Sequence, residues 1–515
     1  MKGIRVRIAQ SLFEIDEAES LFRRGENEVC LLCGCPKDID TGRMLSGEDA
    51  LSLFGRYRET VTEHIAGLYT MVVYISPAMY VFQGEISGMS PVYYFITDGG
   101  LTVDTSLKRL VRDIPAPRKL NWRALDPFFK TGLLPDDCTL CEGIRRVPPQ
   151  KALRYDTQTR AVRLTAPKYS RRKATVPHSF EEYGQRLECA VYAAKEDTPA
   201  ATALSGGFDS NLILWALRNE PEIACFTIGG KRGKDETKTA EEIAAQYENV
   251  RLKKALVDEN ALAYFPDIVL RLDGIVFESG VFLQYRLAQF LAENGIRACV
   301  FGECADENMQ ATNALPFEKR LPGLPARRKA WLVLTKNALM MSSFGITPKY
   351  PYFEESFLQT ARAMYRRNGT EKMYHKRAAR HFLPESIYQK FASTGGSTHL
   401  SALFADDKAL DSLIQSALSC DIHDAKRPVR YHNGVKESRI EYALRVLFVH
   451  LFRELFLSGA YDEALREGTI EKPLSEFLSG IPLKENQKFG RLKIDFMNSI
   501  YRRALKYASK LFCRA

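Results

Sequence analysis

Ala201-Thr202-Ala203-Leu204-Ser205-Gly206-Gly207-Phe208-Asp209-Ser210 is the stretch from which the fold can be read. Its first four residues predict a short strand, the next six a turn, and Asn211 to Asn219 carries helical spacing. Strand, glycine turn and helix in that order put the loop at a helix N-terminus, where unsatisfied amides and the helix dipole favour an anion. Gly206 and Gly207 let backbone N–H groups close round phosphate oxygens, and the hydroxyls of Ser205 and Ser210 add donors. Asp209 fits poorly with a bare anion. A carboxylate beside a triphosphate becomes reasonable when a divalent cation such as Mg2+ lies between them.

Outward from this loop, residues 223–228 and 298–301 read as further short apolar strands, alternating with helices from Phe180 onward. This predicts a doubly wound α/β core. Beyond about Glu318 the chain reads as mainly helical, with an amphipathic stretch at 437–456 and a basic one at 372–382, which predicts a helical cap. The first 165 residues or so differ in texture. Short β-rich runs at 29–33, 68–75, 80–83, 92–96 and 101–104 are separated by turn residues, with a hairpin signal at Asp98-Gly99-Gly100. They predict packed antiparallel sheets. Residues 169–177 are polar and charged and read as a linker, dividing the 515 residues into domains at 1–170 and 178–515, each with a core of its own.

Two more segments carry chemistry. Phe301-Gly302-Glu303-Cys304-Ala305-Asp306-Glu307 follows the strand at 298–301, and its three carboxylates repel one another unless a cation or a proton relieves them. A metal-bound Asp306 and a Glu303 with raised pKa are one reading; an acidic helix start is the other. Lys390 precedes the glycine pair Gly395-Gly396 in the second segment. A decoy stands at Gly229-Gly230-Lys231-Arg232-Gly233-Lys234-Asp235. It has three residues between its outer glycines rather than four, and Asp where a phosphate-binding P-loop needs Ser or Thr.

Ser-Gly-Gly-Phe-Asp-Ser at 205–210 matches the pyrophosphate (PP) loop of the ATP pyrophosphatase superfamily, and Gly-Glu-x-x-Asp-Glu about one hundred residues later resembles its asparagine synthetase branch. The resemblance implies ATP contacts from Leu204, Ser205, Gly206, Gly207, Asp209, Ser210, Ile228 and Gly302. It implies Mg2+ held by Asp209 and Asp306, a Glu303 that handles the proton of an attacking amine, and a Lys390 that neutralises developing charge. The segments 67–74, 88–94 and 101–106 look like the glutaminase-type (Ntn-type) antiparallel sandwich of this branch. Glutamine-dependent relatives open with a nucleophilic cysteine; here residue 2 is Lys and the first cysteine is Cys30, so an inactive glutaminase-like domain is expected.

β-Lactam synthetases and lasso peptide cyclases resemble this arrangement, because both use an amine already present in the substrate. Glu303 stands where β-lactam synthetases have Tyr, and the longer Arg-x-Lys-Glu run of asparagine synthetases is absent. The pattern is therefore most similar to a lasso peptide cyclase. That family implies adenylation of an Asp or Glu side chain of a precursor peptide and closure of a macrolactam on the peptide's N-terminal amine, releasing AMP and pyrophosphate. It implies a leader peptidase and a leader-recognition protein as partners. The alternatives are a small-molecule amide synthetase of the asparagine or β-lactam type, a tRNA-modifying ATP pyrophosphatase, and a non-catalytic peptide-binding scaffold.

Bulk properties narrow the field less. Lys plus Arg number 73 against 63 Asp plus Glu, a mild excess over this length, and nucleic acid is not the expected partner. No signal-like or membrane-spanning run is legible, so a cytoplasmic protein is expected. The basic, amphipathic stretch at 484–514 reads as a solvated terminal helix without firm membrane contact. Eleven cysteines include the pairs Cys30/Cys33 and Cys138/Cys141, which have zinc-like spacing but read better as small buried hydrophobes.

Overall fold

Short β-rich runs in the first 165 positions form two antiparallel sheets, and their central strands, such as Glu28–Gly34 and Tyr69–Ile75, are apolar on both faces. The computed structural model describes residues 3–479 except 10–11, 26, 85–90, 98, 136, 149–150, 170–174, 231–235, 258, 279, 304, 306–325, 369–370, 392–406 and 421–434. One sheet runs Ile144–Arg146, Tyr93–Thr97, Gly100–Asp104, Arg5–Ala9, Leu12–Glu17; the other runs Val162–Thr165, Ala152–Asp156, Ala78–Gln83, Tyr69–Ile75, Glu28–Gly34, Ser20–Arg24. Val6, Tyr94 and Val103 of the first face Leu31, Val72, Val81 and Leu153 of the second across the sandwich. Helix Gly47–Tyr57, opened by a capping box between Ser46 and Asp49, covers the outside of the six-stranded sheet through Ala50, Leu51 and Phe54. Helix Leu107–Asp113 covers the outside of the other, against Tyr93. The layers are therefore helix, sheet, sheet, helix.

The period of two also settles the cysteines. Cys30 and Cys33 are an odd number of residues apart on one strand, so Cys30 faces the helix layer while Cys33 faces the sandwich interior. They cannot grip one ion together. Burial pushes the Cys30 and Cys141 thiols up to about 12. Among the described residues no cluster of His, Cys, Asp and Glu could hold a metal unaided.

From Ala201 the chain builds a five-stranded sheet in the order Val250–Val257, Ile223–Gly230, Ala201–Ala203, Ala298–Val300, Thr347–Lys349, every pair parallel. The first strand in sequence, Ala201–Ala203, lies in the middle, and the winding reverses between it and Ala298–Val300. Such a reversal leaves a crevice at the carboxyl ends of the two strands. Helices Phe180–Lys195 and Phe208–Ala216 pack on this sheet through Leu187, Val191, Leu212 and Ile213.

The helix expected at 437–456 departs from its reading. Val435–Phe452 is not amphipathic: from Tyr442 to Phe452 every residue is buried. Within that stretch Arg445 is hidden rather than solvated: it is 4% exposed, pairs with Glu441 at 2.5 Å and donates to the Phe129 carbonyl at 3.1 Å. It lies between helix Trp122–Thr131 of the N-terminal segment and helix Phe265–Arg271 of the C-terminal one, with Phe448 touching Phe128, Phe265 and Phe277. Besides the cores within the two segments, one large cluster therefore joins them. At that seam Gly132 has φ 74°, accepts from Phe277 N–H at 2.8 Å, and would place a Cβ 2.0 Å from the Phe277 carbonyl, so no larger residue fits.

No helix among the described residues is long and apolar enough to cross a membrane. The basic stretch at 484–514 lies outside the described residues.

Candidate active site

The expected helix after the glycine turn begins three residues earlier than its spacing suggests, at Phe208, with Gly207 as N-cap in extended conformation. Asp209 thus belongs to the first helical turn, not to the turn before it. The shift follows from side chains that fold the loop onto itself. Ser210 Oγ accepts from Ser205 N–H at 3.1 Å and sits 2.9 Å from Ser205 Oγ. Asn211 Nδ2 donates to the carbonyls of Gly207 at 2.7 Å and Ser205 at 3.3 Å. Ser205 N–H and Gly207 N–H are likewise spent within the loop, on Ser210 Oγ and Ser205 Oγ, so an anion would be met by the amides of the first helical turn.

The acidic segment is brought against this loop. A Cβ on Gly302 would stand 2.9 Å from Ser210 N and 3.1 Å from the Asp209 carbonyl carbon, so the two backbones touch where only glycine fits. Glu303 follows in a half-buried turn, and Ala305 is buried in the same cluster as Leu204 and Leu212. Asp306, the expected second metal ligand, lies outside the described residues, as do Lys231 to Asp235 of the decoy. Leu204 is buried beneath the loop, and Ile228 sits half-buried on the neighbouring strand Ile223–Gly230.

Lys390 falls in helix Glu385–Phe391, and the glycines Gly395 and Gly396 lie outside the described residues. The helix itself meets the loop: the Tyr388 ring packs 5.4 Å from that of Phe208, and the Arg380 guanidinium lies over the Tyr388 ring at 5.5 Å.

The contacts of Asp209 were not legible in the sequence. His375 Nε2 lies 3.0 Å from Asp209 Oδ1, His375 Nδ1 lies 2.5 Å from the Tyr183 hydroxyl, and the Tyr352 hydroxyl donates to the Asp209 carbonyl at 2.9 Å. His375 is fully buried while the Asp209 side chain stays 26% exposed. The one available sequence signal is spacing. His375, Ala378, Ala379 and Phe382 share a face of helix Glu371–Phe382, and that face is the buried one.

The donor chemistry suits Mg2+. A partly exposed carboxylate in the first turn of a helix, beside a cradle of amides, offers a hard oxygen at a place where a triphosphate alone would be repelled by it.

Residues 182–339 match the asparagine synthase family model. The chain is similar to the glutamine-hydrolyzing asparagine synthetase 1 of Bacillus subtilis, with 23% identity over 299 residues, 54% of this chain and 46% of that protein. It is similar as well to a putative glutamine-hydrolyzing asparagine synthetase 2 of Methanocaldococcus jannaschii, with 20% identity over 216 residues, 39% of this chain and 41% of that protein. The chain thus spans under half the length of these curated relatives. Among solved structures, a glutamine phosphoribosylpyrophosphate amidotransferase from B. subtilis aligns with 61% of this chain and 72% of its own at 10% identity, with a TM-score of 0.21, too low to bear on fold or function. The segment that carries both motifs is asparagine synthetase-like.

Proposed function

We propose that the chain is an ATP-dependent amide-bond ligase that forms AMP and pyrophosphate, and that its substrate is a peptide carrying both reacting groups, as for a macrolactam-forming lasso peptide cyclase. The observation that carries the ligase reading is the backbone contact of Gly302 with Asp209 and Ser210, which sets an acidic segment against an anion cradle at the sheet's switch point. The asparagine synthetase-like match over residues 182–339 supports it independently. The peptide substrate rests on the sequence: Glu303 where β-lactam synthetases have Tyr, without the longer Arg-x-Lys-Glu run of asparagine synthetases.

In this scheme a carboxylate oxygen of the substrate attacks the α-phosphorus of ATP, the bond to the β-phosphate oxygen breaks, and pyrophosphate leaves on the loop amides. An amine of the same peptide then attacks the acyl carbon of the adenylate; the acyl C–O bond breaks and AMP departs. Glu303 takes the amine's proton, and Lys390 offsets the negative charge that grows as the tetrahedral carbon forms. Asp209 and Asp306 would hold Mg2+, which supplies charge neutralisation on the triphosphate. Holding both reacting groups of one peptide in place supplies much of the rate through effective molarity.

The test is pyrophosphate release with ATP and a peptide that carries a free N-terminal amine and an Asp or Glu side chain spaced for ring closure, read together with loss of one water from the peptide by mass spectrometry. Aspartate plus ammonium giving asparagine at a comparable rate would replace the peptide reading with the small-molecule one. Turnover dependent on tRNA would overturn both.

A further inference from the structure

His375 is a buried histidine on a core-facing position of its helix, a place where an apolar side chain would ordinarily sit. Ala378 and Ala379, one turn further along, let this helix approach helices Phe180–Lys195 and Phe208–Ala216 closely enough for the ring to bridge them. Tyr183 comes from the first of those helices and Asp209 from the second. The rings of Tyr183 and Tyr352 stand edge-on to the imidazole at 6.0 and 5.6 Å, which fixes its plane.

Which nitrogen carries a proton follows from the partners. A carboxylate can only accept, so Nε2 must be the donor to Asp209 Oδ1. The Tyr183 phenol keeps its proton, held well above the ordinary tyrosine range by burial and then by the charge of Asp209, and can donate to Nδ1. The order is Tyr183 O–H to Nδ1, Nε2–H to Oδ1. A buried polar array of this kind adds little to folding relative to apolar residues of similar volume. It does hold one carboxylate oxygen in a set direction.

Building on the ligase reading, we propose that His375, anchored by Tyr183, is a positioning residue that aims the Asp209 carboxylate at the metal–nucleotide site. The hydroxyl of Tyr352 donates to the Asp209 main-chain carbonyl, so the residue is tied at its backbone as well as at one carboxylate oxygen. Outer-shell partners of this type typically change metal affinity by about 10–100-fold when removed.

The experiment measures Mn2+ binding to the full chain by electron paramagnetic resonance, in the presence of an ATP analogue with a methylene between the α- and β-phosphates, alongside binding of that analogue in EDTA. His375→Leu is expected to weaken Mn2+ binding at least about tenfold, with metal-free analogue binding unchanged. His375→Gln, which keeps a donor facing Asp209, should stay within about threefold of the wild type, and Tyr183→Phe should fall between them. Wild-type Mn2+ affinity in His375→Leu overturns the proposal, as does an equal loss of analogue binding in EDTA. Should the leucine variant fail to fold, the ranking of the glutamine and Tyr183→Phe variants decides. A wild type that binds neither analogue nor Mn2+ defeats the ligase reading itself, whereas a wild type that binds both, with variants that match it, defeats this proposal alone.

Discussion

Two sets of buried or half-buried carboxylates in this molecule are treated in opposite ways. At the seam between the N-terminal sandwich and the C-terminal segment, Asp104 and Asp273 are 0% and 3% exposed in their side chains and are met by cations. Arg5 and Arg109 engage Asp104, while Lys108, Tyr93 O–H and Leu107 N–H converge on Asp273. At the switch point, Asp209 is 26% exposed and is oriented by an imidazole and a backbone contact. The seam saturates its carboxylates with the protein's own cations, as a fixed joint requires. The loop orients its carboxylate through His375 and keeps about a quarter of that side chain exposed, which suits the exchangeable cation proposed above.

The contrast is broken most severely at the loop. Asp209→Asn keeps an acceptor for His375 but removes the charge, and pyrophosphate release should fall by about a thousandfold while the folded state persists. A variant with wild-type turnover would place Asp209 with the seam. Asp273→Ala should do the converse. It leaves Lys108 uncompensated and should cost about 3 kcal/mol in urea unfolding, with little change in ATP affinity. Gly302→Ala forces the two loop backbones apart, at about 2 kcal/mol, and should weaken nucleotide binding more than it lowers the unfolding midpoint.

The smallest effect, reckoned per pH unit, concerns a cation. Lys336 is buried against Glu278, and desolvation pushes its ammonium down to about 7. Its folded pKa lies below the unfolded value, so above pH 7 the unfolded chain binds more protons than the native one and stability should rise with pH from 7 towards 10. The slope is at most about 1.4 kcal/mol per pH unit. Thermal unfolding of Lys336→Met at pH 7, 8 and 9 should lack that contribution.

Both loops were legible in the sequence because their chemistry is local. Glycines where backbone must pass close, hydroxyls that tie a turn, and carboxylates after an apolar strand leave a mark within ten residues. His375 left none, since its meaning depends on Tyr183 and Asp209, 192 and 166 residues away, and its helix reads as a basic surface helix. Helix Val435–Phe452 misled for a related reason. Glu437, Glu441 and Arg445 recur every four residues like a solvent stripe, yet Arg445 turns inward to a carbonyl of the N-terminal segment. Local periodicity reports that a stripe differs from its surroundings. It does not report whether water or another polar group will meet it.

The same helix has a bearing on how the molecule comes into being. It leaves the ribosome long after Phe128 and Phe265, yet it fills the space between them. Until it arrives, the nascent polypeptide carries two greasy surfaces with nothing between them, and such intermediates are prone to aggregate. Slow translation, low temperature or a holding chaperone during synthesis should therefore raise the soluble yield more than any change made at the loop over residues 205–210.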